Sequence, residues 1–326
     1  MRKYTNGAEF GDLSYWTSTS GTVTANSTTK RSGAYSYYFS STTPYASKSI
    51  VPMSEFYYRF VVYMTSVAGS NYRILTWKTA GSTNAGSLRV DTLGRLNIYD
   101  YSGLSVASTT RSLKANQWNL IEVHLIMHDT VGKVEVKLNT ILEVSYTGPT
   151  TSSSYPCNAL EHGRMAHYLD DIALNDTDGS VNNSWCGDGH LEILKPDGNG
   201  DVIQWSPNTG LNWQAVDEVP PDNDTTYVMT SGIGIQDMYS VGAYVGTGKI
   251  ISQIWAEAIA KDNAATGSGI LKLGFKTGGS VFLSSGVFLS SVYDSIVGDF
   301  TLINPVTLSG WTADDLNNIQ VVIESD

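Results

Sequence analysis

Residues 116–129 read NQWNLIEVHLIMHD, and the alternation within them decides the fold. Asn119, Ile121, Val123, Leu125 and Met127 point one way; Trp118, Leu120, Glu122, His124, Ile126 and His128 point the other. That period of two belongs to a β-strand with one face wholly on a core. Residues 130–148 continue as TVGKVEVKLNTILEVSYTG. Here Val134, Val136 and Leu138 alternate with Lys133, Glu135 and Lys137, a turn falls at Asn139–Thr140, and a third strand returns. The stretch is an antiparallel meander.

The same pattern extends upstream through FYYRFVVYM (56–64), YRILTWKTA (72–80) and LRVDTLGRLNIYDYSG (88–103), and HYLDDIALND (167–176) closes the set. Short strands separated by Gly, Ser and Asn turns predict a two-sheet sandwich. After it come HLEILKP (190–196), DVIQWSP (201–207), TTYVMTS (225–231), IISQIWAEAIA (250–260), GILKLGFKTG (269–278) and VFLSSGVFLSSVYD (281–294), again strand-like. TADDLNN (312–318) has Thr312 three residues before Asp315, a capping-box pattern that predicts one short helix before the last strand.

A chain of 326 residues exceeds the size at which single cores stop growing, so two domains are expected. Its 41% hydrophobic and 16% charged residues, with 31 Gly and 19 Tyr, suit strands and turns rather than helices. Charge locates the seam. Residues 1–184 hold 15 Lys/Arg and 14 Asp/Glu (+1), residues 185–326 hold 5 and 17 (−12), and all eight arginines precede the change. The reading is all-β: a β-sandwich over 1–182, then a smaller acidic β-sandwich over 183–326. An acidic chain without a basic cluster is a poor partner for nucleic acid. No apolar run reaches membrane-spanning length and no hydrophobic stretch follows the basic start, so neither membrane insertion nor a leader is expected. Two cysteines, Cys157 and Cys186, could form one bridge but cannot make a disulfide framework, and they are read as free structural thiols.

Four pieces, NGAEFGD (6–12), WNLIEVH (118–124), GKVEVKLN (132–139) and YLDDIALND (168–176), together resemble the concanavalin A-like lectin/glucanase superfamily, laminin G-like modules included. The resemblance covers about residues 5–180 and implies a jelly-roll sandwich. The block 182–228, with GWTADDLNNIQVVIESD (310–326), resembles virion proteins of tailed bacteriophages. That resemblance implies a non-enzymatic structural part of the particle, as capsid decoration or in the tail or fibre. It would be a homo-oligomer contacting other virion proteins, assembled in the host cytoplasm and displayed on the virion surface. The alternative is a carbohydrate-binding adhesin for host surface glycans.

Candidate sites follow from residue chemistry. Calcium takes six to eight oxygens from carboxylates, amides and carbonyls, and Asp171, Asn175, Asp176 and Asp178 offer them. So does the Asp197–Asp201 turn, although its twelfth position is Asn208 rather than Glu. The competing reading is ordinary turn chemistry. Asp170 and Asp171, adjacent in a strand, should face opposite sides. Exposed tyrosines near loops, Tyr72, Tyr99, Tyr101 and Tyr155, are the glycan-stacking candidates; sheet packing is the plainer role. Glu122, His124 and His128, beside Glu135 and Lys137, read as a solvated polar face. His162 and His167 could join Glu161 on a metal but read as surface or turn residues. No Glu-x-Asp-x-x-Glu strand, nucleophile elbow, His-Glu-x-x-His or phosphate loop occurs, so no enzyme is expected.

Overall fold

In a computed structural model the described residues are 1–67, 71–80, 83–153, 155–246, 248–263 and 268–326. They form two compact units, Met1–Glu192 and Ile193–Asp326.

The first unit is a jelly-roll β-sandwich. Its strands are β1 (Arg2–Asn6), β2 (Ser18–Ser20), β3 (Val23–Asn26), β4 (Ser36–Phe39), β5 (Tyr45–Met53), β6 (Glu55–Tyr63), β7 (Tyr72–Thr79) and β8 (Thr83–Val90). They continue as β9 (Arg95–Tyr99), β10 (Ser105–Ser112), β11 (Trp118–Ile126), β12 (Gly132–Leu138), β13 (Ile141–Gly148), β14 (Cys157–Gly163) and β15 (His167–Asn175). One sheet runs β13-β12-β11-β6-β15-β4-β3, with β1 also on β15; the other runs β10-β9-β8-β7-β14-β5-β2.

The meander sets the register of the first sheet. Ile121, Val123 and Leu125 stand opposite Leu138, Val136 and Val134 on one side and Phe60, Tyr58 and Phe56 on the other. All nine are buried. Each such side chain contributes about 1.5–3 kcal/mol relative to leaving it in water. The hairpin at Asn139–Thr140 has both residues at positive φ, 50° and 72°, as a two-residue type I′ turn demands. From the second sheet Leu75, Trp77, Leu88, Ile98 and Leu160 complete the core. Gly86 makes room for the indole: a Cβ there would lie 2.4 Å from Trp77 Cζ2.

His162 and His167 are not surface residues. Both lie in the interior, at 0% and 1% exposure, because β14 and β15 turn them between the sheets. His162 Nε2 meets the Tyr58 hydroxyl at 2.7 Å, and the His167 ring stacks on Phe39. Burial pushes both imidazoles down, to about 3 and about 4. Cys157 and Cys186 are free thiols.

The compact units divide after Glu192, whereas the sequence places the seam at 182/183. The reason lies in residues 185–191, which are strapped to the first sheet. Glu122 Oε1 accepts from Gly187 N (2.7 Å), Arg59 Nη1 donates to Gly187 O (3.1 Å), and Arg31 Nη1 donates to Gly189 O (2.9 Å). Trp185 packs edge-on against Tyr57 and His124, under the Lys137 ammonium. Glu122 and His124 are therefore buried rather than solvated, and His124 bridges Glu55 (2.9 Å) and Glu135 (2.8 Å).

The second unit is also β. Its strands are β16 (Pro196–Ile203), β17 (Ser206–Pro207), β18 (Val228–Met229), β19 (Gln236–Val241), β20 (Glu257–Ala260), β21 (Ile270–Thr277), β22 (Ser280–Leu283), β23 (Val287–Phe288), β24 (Asp294–Val297), β25 (Ile303–Asn304), β26 (Ser309–Gly310) and β27 (Gln320–Ser325). One sheet runs β16-β19-β27-β21-β22, with β23 also on β21. Its core side, Tyr239, Leu271, Leu273, Phe275 and Ile323, is clustered with Ala256, Ile296 from the β20–β24 ribbon, Trp311 and Leu316. Leu316 belongs to helix α1 (Ala313–Asn317), whose N-cap Thr312 and Asp315 form the reciprocal capping box anticipated from the sequence. Three expectations fail: residues 190–195 form no strand, and only Pro196 of that stretch opens β16. Within 250–260 only Glu257–Ala260 is a strand, with single bridges at Ile251 and Ile254. Asp197–Asp201 is not a turn but the body of β16, paired irregularly with β19.

Candidate functional site

The outer face of the second sheet of the first unit carries a row built by strand register. Glu161 on β14 stands opposite Thr76 on β7, which stands opposite Ser87 on β8, which stands opposite Tyr99 on β9; on the other side Glu161 meets Ser47 on β5, and Ser47 meets Ser18 on β2. Leu75, Trp77, Leu88 and Leu160 alternate with these residues into the core, so the row has to point away from it. Thr76, Ser87 and Glu161 are themselves nearly buried, a floor of short side chains between longer ones.

Cations and rings flank that floor. Lys78 Nζ lies 2.5 Å from Glu161 Oε2 and Arg164 Nε donates to Glu161 Oε1 at 3.0 Å; both cations also sit over the Tyr45 ring, at 5.8 and 4.8 Å. Farther along, Arg73 on β7 faces Arg89 on β8. The Arg89 guanidinium lies 3.8 Å from the Tyr99 ring centre and its Nε donates to Ser87 Oγ at 3.1 Å. Burial, then the neighbouring Arg73 charge, pull the Arg89 pKa down. Among the described residues neither Arg73 nor Arg89 is paired with a carboxylate. Arg73, Arg89, Lys78 and Arg164 against Glu161 leave this face positive on a chain of net charge −11. It can bind an anion, hydrogen-bond hydroxyls and stack an apolar ring face.

The tyrosines singled out from sequence do not converge. Tyr99 belongs to this face; Tyr72 starts β7 half-buried against the core; Tyr101 and Tyr155 are exposed in the turns after β9 and before β14. Sequence reading passed over Tyr45, Lys78, Arg73, Arg89 and Arg164. The available signal was the alternation in YRILTWKT, which puts Thr76 and Lys78 opposite in facing to Leu75 and Trp77.

Of the four residues named for calcium, Asp171, Asn175 and Asp176 have their side-chain oxygens occupied otherwise. Asp171 Oδ2 takes Arg31 Nη1 at 2.6 Å, and its Oδ1 accepts from Ser32 Oγ (2.6 Å) and Leu191 N (2.9 Å). Asn175 accepts from Arg2 Nε and donates to Ser184 O at 2.7 Å. Asp176 pairs with Lys3 Nζ at 2.5 Å; burial opposes its charge, but Lys3, the N-terminal ammonium and the Asp178 N–H together outweigh it and hold the carboxyl at about 2. Asp178 donates its N–H to Asp176 in a local turn. Nor do Asp170 and Asp171 face opposite sides. A bulge with Asp171 at φ 49° brings both carboxylates to Arg31, one to its backbone N–H and one to its guanidinium. Among the described residues no three His, Cys, Asp or Glu side chains gather as a metal cluster.

No protein-family model matches the chain, and no curated protein matches it. Solved structures similar to it include the cellulose-induced protein Cip1 (18% identity, TM-score 0.45, covering 57% of this chain and 100% of that one). Others are an endo-β-1,4-glucuronan lyase from the fungus Trichoderma reesei (12%, 0.44, 53% and 95%) and the carbohydrate-binding module CBM66 from Bacillus subtilis (11%, 0.33, 47% and 95%).

Proposed function

We propose that the first unit is a carbohydrate-binding β-sandwich that takes an anionic polysaccharide along the outer face of its β10-to-β2 sheet. The observation that carries this reading is the Arg73–Arg89 pair, set opposite each other with no carboxylate partner among the described residues. Like charges directly opposite on a sheet are destabilising, and a bound carboxylate removes that cost while accepting from planar guanidinium forks. Tyr99 and Tyr45 supply ring surface beside these cations, and Ser87, Thr76 and Ser47 supply hydroxyls for sugar oxygens.

Binding is favoured over hydrolysis. Glycoside hydrolysis uses two carboxyl groups across the scissile bond, and Glu161, the acid of this row, is already held by Lys78 and Arg164. Display on a phage particle, the role implied by the sequence resemblance, is compatible with such a module and is not required for it.

Calorimetric titration with a polyuronate and with a neutral glucan of equal length tests the reading. The polyuronate should bind more tightly, and its advantage should shrink as salt screens the charges. Equal affinity for both polymers, or none for either, would refute it. Measuring polymer length after incubation separates binding from cleavage.

A further inference from the structure

The main sheet of the second unit ends differently on its two sides. One edge strand, β16, reads PDGNGDVI, carries Pro196, Asp197 and Asp201, and pairs irregularly with β19. Proline, charge and bulging are the devices that keep other strands off a sheet edge. The opposite edge strand, β22, has none of them: residues 280–286 read SVFLSSG, without a charge or a proline. Its register on β21 is regular, from Gly274 opposite Leu283 to Thr277 opposite Ser280, and a hairpin with Gly278 and Gly279 at φ 54° and 83° closes it. Ser284 N donates to Leu273 O at 2.8 Å. By the alternation of an antiparallel ladder, Phe282 and Ser284 therefore turn their backbone groups to β21, while Val281 and Leu283 turn theirs outward. Among the described residues no strand pairs with β22 on that outer side.

Apolar surface accompanies the bare edge. Phe282 stands opposite Phe275 and faces the same way, 37% exposed, at the rim of a crevice of about 100 Å³ floored by Leu273, Phe275 and Trp311. Asp299 is the single charged residue lining that crevice, and the β21 lysines, Lys272 and Lys276, are already paired with Glu324 and Asp201. Residues 185–326 carry a net charge of −12, so approach of one copy to another is opposed over most of the unit. It is unopposed along β22.

We propose that this edge is where two copies of the chain associate, β22 against β22, antiparallel about a two-fold axis at Phe282. The outward backbone groups fix that register. Val281 of each copy exchanges main-chain hydrogen bonds with Leu283 of the other, and Phe282 meets Phe282 as a non-hydrogen-bonded pair, the closer kind of antiparallel neighbour. The two rings then form an aromatic cross-strand pair beside the crevice of each copy. A second copy fits better than an unrelated strand because the contact is isologous: one pairing closes both bare edges at once. The guarded β16 edge stops growth at two copies. So short a strand buries little area, which places the dimer among weak, concentration-dependent associations.

The test uses the whole chain. Sedimentation equilibrium from about 1 μM to about 1 mM, the span of weak dissociation constants, should show the mass rising from one copy to two. F282K sets two ammonium groups face to face at the axis and should raise the dimer dissociation constant roughly 100-fold or more. Its thermal midpoint at low concentration should stay near that of the wild type, because Phe282 is already partly in water. V281P removes an outward N–H that β21 does not use and should also keep the chain monomeric. Oxidised F282C should form a disulfide-linked dimer, since directly opposed strand neighbours come within bridging distance. F288C, at a residue 71% exposed but away from the axis, should not. A wild type that stays monomeric to the top of the range, an F282K that associates like the wild type, or equal crosslinking of F282C and F288C overturns the interface.

Discussion

Arg73 and Arg89 stand directly across from one another on β7 and β8, two like charges held on the outer face of a sheet beside the Tyr99 ring. Sheet stability alone would not select that pair. Replacing Arg73 with alanine should leave Tm unchanged or slightly raised, since a repulsion of about 0.2–1 kcal/mol is removed. The same change should weaken polyuronate binding roughly 10-fold or more, the size of a lost charge-assisted hydrogen bond. Paired thermal and calorimetric measurements on R73A check both signs, and a fall in Tm with intact binding would make Arg73 purely structural.

The strap yields a prediction about boundaries. A fragment ending at residue 192 should fold cooperatively, whereas one ending at 182 should be several kcal/mol less stable. Removing Gly187, Gly189 and Leu191 strips partners from Glu122, Arg59, Arg31 and Asp171, and buried charges left unpaired cost about 3–5 kcal/mol. Urea unfolding of the two fragments provides the comparison.

The protein should lose stability as pH rises from the ordinary carboxylate range to about 8. Glu9 and Asp170 have folded pKa values near 8, above the ordinary carboxylate range, so the folded state keeps protons that the unfolded state has released. Stability then declines as pH climbs toward 8, by about 1.4 kcal/mol per pH unit for each proton retained. Denaturant midpoints for wild type and E9Q between pH 6 and 8.5 should show a steeper slope in the wild type.

At the acid end the sign reverses. His162 and His167 are held at about 3 and about 4, below a free imidazole, so the unfolded state binds protons first. Their contribution is complete above the ordinary histidine pKa and drains away as pH falls toward 4 and 3. His162→Gln keeps a partner for the Tyr58 hydroxyl, costs about 1–3 kcal/mol at neutral pH through imperfect packing, and should flatten the acid limb in the same assay.

One hairpin carries removable strain. Thr140 sits at φ 72°, a region that β-branched residues rarely enter. T140G should stabilise the first unit by roughly 0.5–1 kcal/mol, because Asn-Gly is the natural pair for this turn. Chemical denaturation at neutral pH measures it.

Much of the sandwich could be read from alternation, because a strand with one buried face repeats every two residues: residues 118–126 and 132–138 are strands in the anticipated facing. Positions set by departures from regularity were harder. The Asp171 bulge put two adjacent acids on one side, and no local pattern announces a bulge. His162 and His167 went inside because the strand phase, not their polarity, decided their direction. The candidate face needed pairing between β7 and β8 to place Arg73 against Arg89, and β14 to bring Glu161 to Lys78, 83 residues away in the chain. Glu9 and Asp170 are farther apart still, so their meeting is a property of the closed fold.

The pairing of β1 with β15 bears on how the protein is made. Arg2 and Asn6 find their partners only at Asn175 and Ile172, after nearly the whole first unit has left the ribosome. Until then β1 is an open edge, and the strap that seals the sheet arrives later still. Such long-range closure is slow relative to local hairpin formation, so chaperones that mask strand edges should matter more to the yield of this chain than to its final stability.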